Sequence, residues 1–161
     1  MGARAAEEAC RAAVSADVPR LAELAAAAIA ELSSGRGGAV WARTQARRAP
    51  FEPALEAAIA ADDHHVVVGS LDGVVLGYGV ARVEVLADGG RLGVVDDLYT
   101  EPDGRELGIG ELVMGALVDW CRQQGCFGVD SLALPGDRHT KNFFESFGLV
   151  ARAIIVHRSL P

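Results

Sequence analysis

Three features of the 161-residue sequence predict an α/β fold of the α+β kind, with a mixed, mostly antiparallel sheet flanked by about four helices. Strand-like runs between His65 and Thr100 are joined by short turns at Asp72-Gly73 and Asp88-Gly89-Gly90, the pattern of an antiparallel meander. From Gly108 to Gln124, residues Leu112, Val113, Ala116, Leu117, Trp120 and Cys121 form a helical stripe that Gly125 closes. The chain then reads strand, helix, strand. No repeat, linker or low-complexity tract divides it, so residues 1–161 form a single domain. A chain this long removes about 70% of its unfolded surface from water and needs no disulfide or metal staple.

The elements follow in order. Arg11 to Ser15 reads as a short edge strand. Ser15 or Asp17 can then cap a helix with Pro19 in its first turn, where a missing N–H costs little. Val18, Leu21, Ala25, Ile29 and Leu32 recur at helical spacing in it, and the glycines between Ser33 and Gly38 break it. A second helix follows Pro53, with Leu55 and Ile59 on one face. Strands are expected over His65 to Leu71, Val74 to Leu86 and Arg91 to Thr100. After the Gly108 helix come a buried strand at Val129 to Leu134, a short helix at Asp137 to Phe147 ended by Gly148, and a last strand at Ala151 to Ser159.

Charge excludes some partners. The net charge is −7, and residues 51–104 alone hold 11 acids against 2 bases. Nucleic acid needs a basic face to displace counterions, so it is not an expected partner; cationic small molecules or basic peptide ends suit the chain better. Acidic surface also serves plain solubility. The longest apolar run, Leu24 to Ala30, is far short of the roughly 20 residues that a membrane span requires. Met1 to Cys10 lacks the apolar stretch of a secretory signal, so a cytoplasmic location and no membrane association are expected. Cys10, Cys121 and Cys126 are odd in number and fit neither a CxxC redox pair nor a zinc site, which leaves free thiols. His64 and His65, beside Asp62 and Asp63, are adjacent rather than at i, i+4 and read as a solvated turn, so no metal is implied.

The richest local signal is Arg105-Glu106-Leu107-Gly108-Ile109-Gly110-Glu111, which follows a strand and opens a helix. Glycines there let backbone N–H groups turn outward and an anion approach the helix N-terminus. A tight strand-to-helix turn explains the same two glycines. A Walker loop fails, since neither Gly104 nor Gly136 is followed by the required GK[ST]. A dinucleotide fingerprint wants a third glycine where Val113 stands, although Asp130 lies about where a ribose-binding acid would.

Taken together, the stretch from Val94 to Leu149 resembles the GNAT superfamily of acyl-CoA-dependent N-acetyltransferases. Val95-Asp96-Asp97-Leu98-Tyr99-Thr100 and the following loop resemble the family's acyl-CoA signature, with Arg105, Gly108 and Gly110 on its R/Q-x-x-G-x-G/A positions. Asn142-Phe143-Phe144-Glu145-Ser146-Phe147-Gly148-Leu149 resembles its second motif, and Leu76-Gly77-Tyr78 its third strand. The resemblance implies acetyl-CoA as cosubstrate. It places the pantetheine arm along the backbone of Leu98, Tyr99 and Thr100, after a bulge in the fourth strand, and the pyrophosphate on the amides of Glu106, Leu107, Gly108, Ile109, Gly110 and Glu111, with Arg105, Asn142 and Phe144 completing the cofactor side. A homodimer, common in the family, is compatible with it.

The implied chemistry is attack of a primary amine, on a small cationic molecule or a peptide, upon a thioester. An amine of pKa about 10.4 is protonated at pH 7, and freeing its lone pair costs about 4.6 kcal/mol. A base is needed. The resemblance puts an acid nine residues before Arg105, which is Asp96; Asp97 is its neighbour, expected on the opposite strand face, and Glu84 is a weaker candidate. Aspartate is short, which favours a water relay over direct contact; one of the two acids can instead position a cationic substrate. The Leu98 N–H would meet the oxyanion. The family's usual thiolate-protonating tyrosine falls on Phe144, which has no proton to give; Tyr99, Tyr78 and His139 are conceivable donors, and loss of one general acid removes about 10² to 10⁴ of rate rather than all of it. Two alternatives stay open: an acyl-CoA-binding or protein-interaction module of this fold without turnover, and a nucleotide-dependent oxidoreductase resting on the glycine loop and Asp130. The segment from Ser33 to Phe51, with Trp41, would frame the acceptor side but carries no diagnostic motif.

Overall fold

The computed structural model describes residues 5–161. Its elements are β1 (Glu8–Ala12), α1 (Val18–Ser33), α2 (Gly38–Thr44), α3 (Glu52–Ala60), β2 (His64–Leu71), β3 (Val74–Val85), β4 (Arg91–Thr100), α4 (Ile109–Gln123), β5 (Gly128–Ser131) and α5 (Arg138–Ser146). The strands form one sheet in the order β1-β2-β3-β4-β5, antiparallel except for the parallel β4–β5 pair. The meander and the fold class therefore agree with the sequence, with five helices among the described residues rather than about four. No helix among these residues is long and apolar enough to cross a membrane.

The sheet divides two cores. On one face Leu21, Leu24 and Ala25 of α1 and Leu55 and Ala58 of α3 pack against Val66, Val68, Tyr78 and Val80. On the other, Val113, Met114, Leu117 and Cys121 of α4 and Phe144 of α5 pack against Val67, Ala81 and Val95. Because successive strand residues face opposite sides, Val66 and Val67 serve different cores.

The seating of α4 is set by glycines. A Cβ on Gly69 would lie 2.6 Å from Ile109 Cγ2, one on Gly79 2.7 Å from Leu117 Cδ1, and one on Gly93 2.5 Å from Cys121 Sγ. This stripe across β2, β3 and β4 lets the helix press directly onto the strand backbones.

Several elements depart from the sequence reading. The first strand runs Glu8–Ala12, because its pairing with β2 begins at Glu8↔Leu71 and the chain already turns at Ser15–Asp17. Asp17 stands at the N-cap of α1, but its carboxylate accepts from the Val14 N–H and the Arg11 guanidinium rather than from the helix. The segment after the Ser33–Gly38 break contains α2, a helix too short to show a periodic stripe. The strand expected at Val129 to Leu134 stops at Ser131. The last expected strand, Ala151 to Ser159, does not form: this segment is exposed throughout. Ile154, Ile155 and Val156 give it strand propensity, but a strand exists only where a neighbouring edge pairs with it.

Candidate active site

The site is built on the C-terminal half of β4. Opposite β3 the register runs from Gly77↔Thr100 to Val80↔Asp97 and then jumps to Ala81↔Val95, so Asp96 is the extra residue of a β-bulge. The parallel pairing with β5 covers only Leu92 to Val95. Beyond the bulge, Asp96–Thr100 has β3 on one side and no strand on the other among the described residues.

The bulge also corrects the expected placement of the two acids. Asp96 Oδ2 accepts from Arg82 Nε at 2.9 Å, and Asp97 Oδ2 accepts from the Tyr78 hydroxyl at 3.2 Å. Tyr78 and Arg82 are four residues apart on β3 and so share a face, and both carboxylates meet that face rather than opposite ones. The inserted residue breaks the alternation that would separate neighbours. Arg47, from the connection between α2 and α3, donates Nε to Asp97 Oδ2 at 2.7 Å.

Electrostatics distinguish the pair. Burial lifts the Asp96 carboxyl above its ordinary value; Arg82 pulls it down and the Asp97 charge pushes it up again. Burial opposes the Arg47 charge, yet the adjacent Asp97 holds that guanidinium more firmly protonated than usual. Burial and the Asp97 charge raise the Tyr78 hydroxyl well above the tyrosine range. Glu84 is exposed and paired to Arg82 at 3.3 Å.

The strand leads into the glycine loop. After the turn at Pro102–Gly104, Glu106 (φ 64°) and Gly108 (φ 78°) are both left-handed, and Gly108 is the N-cap of α4 without a side chain to cap it. The first-turn amides of Ile109, Gly110 and Glu111 have no carbonyl within the helix to bond, so the mouth presents donors. Leu107 and Glu111 are exposed, whereas Ile109 is fully buried and anchors the turn. A Cβ on Gly110 would meet Thr100 Oγ1 and Phe143 Cε2 at 3.5 Å each. The cradle is thus lined by backbone, one hydroxyl and one ring, with the Glu8 carboxylate beside Gly108, where its Oε2 would lie 3.1 Å from an added Cβ; the first-turn amides are the donors that fit a diphosphate on an extended arm.

Other predicted residues lie around this frame. Arg105 faces α1: Nη2 bonds Glu31 Oε2 at 2.7 Å, Nε bonds the Thr100 carbonyl at 3.0 Å, and the guanidinium lies 5.6 Å from the Tyr99 ring centroid. The Tyr99 hydroxyl donates to the same Glu31 oxygen, and burial together with Glu31 raises its pKa. Asn142 is exposed on α5. Phe144 is buried in the core beneath α4, and its neighbour Phe143 meets Gly110. His139 is exposed near the start of α5. His64 bonds the adjacent Asp63, and His65 stacks on Trp120 at 5.4 Å. Asp130 is engaged by Arg152. Sequence reasoning missed Arg47, Arg82, Glu31 and Phe143. Only Phe143 carried a local signal, in the helical phase that buries Phe144.

The pattern of the acetyltransferase (GNAT) family matches residues 26–149. Among curated proteins no significant relative was found. Solved structures share the fold. A tetramutant protein from Bacillus halodurans superposes with a TM-score of 0.78 at 18% identity, over 94% of this chain and 99% of that one. Aminoglycoside N-acetyltransferase AAC(6')-Iy in complex with CoA gives 0.74 at 16% identity, over 99% of each. Glucosamine-6-phosphate N-acetyltransferase from Arabidopsis thaliana gives 0.68 at 20%, over 96% and 99%. With three quarters of its length inside the family pattern, the chain belongs to the GNAT acetyltransferase family.

Proposed function

We propose that this protein is an acetyl-CoA-dependent N-acetyltransferase that acts by direct transfer on the primary amine of a small cationic molecule or a basic peptide end. One observation carries the reading: β4 loses its β5 neighbour at the Asp96 bulge and runs into the donor-lined mouth of α4. When bound, acetyl-CoA supplies a thioester carbonyl open to attack.

In this reading Leu98, Tyr99 and Thr100 hold the amide-bearing arm through their backbone, and the amides from Glu106 to Glu111 hold the diphosphate. Arg105 holds the rim through Glu31 and Tyr99 rather than reaching inward. Asp96 is the base: burial raises its pKa and with it the carboxylate's affinity for a proton, and one water extends the reach of its short side chain to the ammonium. The Leu98 N–H stabilises the carbonyl oxygen as it gains charge. Asp97 carries two partners, Arg47 and Tyr78, and positions the acceptor-side segment, whereas Asp96 carries one, Arg82 on Oδ2, so the base role is assigned to Asp96. The leaving thiolate, with a pKa near 8.5, departs without an enzymatic acid at Phe144.

The test is thiol release from acetyl-CoA with a panel holding a polyamine, an aminoglycoside, an amino-sugar phosphate and a basic peptide. Turnover with the polycations and little with the phosphorylated sugar is expected. A second reading, a CoA-binding module without turnover, is favoured by the apolar, buried Phe144. Calorimetric CoA binding with no release on any amine selects it, and absence of CoA binding overturns both.

A further inference from the structure

Arg47 combines two properties that no other ion-paired arginine among the described residues shares. It is the least exposed of them, at 17% against 32% for Arg20, the next. Its two Nη groups are also both unengaged. Nε goes to Asp97 Oδ2, whereas Arg11, Arg20, Arg82, Arg105, Arg122 and Arg152 each commit at least one Nη to a carboxylate. A guanidinium carries five N–H donors, so all those of the Nη groups are left over. These nitrogens still reach water, because no buried side-chain polar atom among the described residues lacks a partner.

A cation largely withdrawn from solvent with its fork open has a specific complement. Nη1 and Nη2 together match the two oxygens of a carboxylate through parallel, charge-assisted bonds. The location narrows the choice of carboxylate. Arg47 lies between Ser33 and Phe51, on the expected acceptor side, and Asp97, which holds it, stands between Asp96 and Leu98 in β4. The charges there nearly balance, with Arg47 and Arg82 set against Asp96, Asp97 and Glu84. A polyamine satisfies Asp96 but leaves the Arg47 fork open, and a phosphate dianion meets three acids. A molecule with both an amine and a singly charged carboxylate has a partner for each group.

We propose that Arg47 is a specificity-determining residue and that the acceptor is a basic amino acid, its amine directed to Asp96 and its carboxylate held in the Arg47 fork. This rests on the acetyl-transfer reading and narrows its small cationic molecule to one that also bears a carboxylate. The carboxylate takes no part in bond making: the amine nitrogen gains the acetyl group, its proton passes through water to Asp96, and the thiolate leaves.

Steady-state kinetics with lysine, lysine amide and cadaverine test this on the native chain, since the three share one diamine skeleton and only lysine carries the carboxylate. Lysine should exceed the other two in kcat/KM by about tenfold or more, through KM, as expected for a charge-assisted pair. Arg47→Lys keeps a cation beside Asp97 but has no fork, and in it the lysine-to-cadaverine ratio should fall toward one. Titration calorimetry of the same ligands, with and without CoA, should give the same order and reads the carboxylate contact independently of turnover. Equal values for lysine and cadaverine, a preference that survives in Arg47→Lys, or tighter binding of aminopentyl phosphate than of lysine would each overturn the proposal. The expected binding order without turnover on any amine would support the carboxylate site and count against acetyl transfer alone.

Discussion

Arg47 donates its Nε to Asp97 at 2.7 Å across fifty residues of sequence, and so ties the connection between α2 and α3 to the strand that carries the bulge. The two side chains are 17% and 13% exposed, which makes this one of the less solvated ion pairs in the protein.

Removing one partner should therefore cost more than a surface pair would. Arg47→Ala leaves the Asp97 charge and the Tyr78 hydroxyl facing each other, and a loss of about 2 to 3 kcal/mol is expected, somewhat below the cost of a fully buried pair. Urea denaturation of Arg47→Ala, Asp97→Asn and the double variant measures it. A coupling below about 0.5 kcal/mol would show that the pair is merely adjacent.

Asp96→Asn should act on rate and stability in opposite directions. Without the base, turnover should fall by about 10² or more at neutral pH and recover as rising pH deprotonates the amine. The Asp96 pKa is raised in the folded state, so ionisation opposes folding: the penalty is absent below the ordinary 3.8, grows as pH rises toward the folded value, and is complete above it. The variant should have a higher Tm than the parent at pH 7 and an equal one near pH 3. A rate unchanged at every pH would remove Asp96 from the mechanism.

The glycine stripe makes a packing prediction. Gly79→Val should destabilise by about 1 to 3 kcal/mol, because its side chain would have to displace both Leu117 and Val113, whose contacts with a Cβ there would already fall below 3 Å. Gly73→Ala, in open space, should cost only the backbone strain of φ 82°. Thermal denaturation of the two variants separates crowding from conformation.

Burial, followed by the neighbouring Cys126, pushes the Cys121 thiol up to about 11. The thiolate fraction at pH 8 is then on the order of one in a thousand. Alkylation followed by mass spectrometry should leave Cys121 unmodified in the native protein and label it only after denaturation.

The meander, the α4 stripe and the Gly108 loop were legible because each rests on local pattern: period-two runs, a period near four, and glycines at turns. The relationships that define the site were not. The bulge at Asp96 shows only once β3 and β4 are in register, and the roles of Arg47, Arg82 and Glu31 depend on side chains reaching over from distant elements. The expected strand at 151–159 failed for the complementary reason: composition sets willingness to pair, while geometry supplies the partner. Phe144 was read as lining the cofactor side, but the helical phase turns it into the core and leaves Phe143 at the loop.

The early stop of β5 at Ser131 gives the architecture a thermodynamic corollary. Backbone left uncompensated along one flank of β4 is saturated by water in the free protein, and any elongated guest bearing its own amides can take over that role. Occupancy and folding would then draw on one free-energy reservoir, with the melting temperature climbing logarithmically as guest concentration exceeds its dissociation constant. A protein built this way would be sturdiest when its supply of that guest is ample and most exposed to proteolysis when the supply runs down.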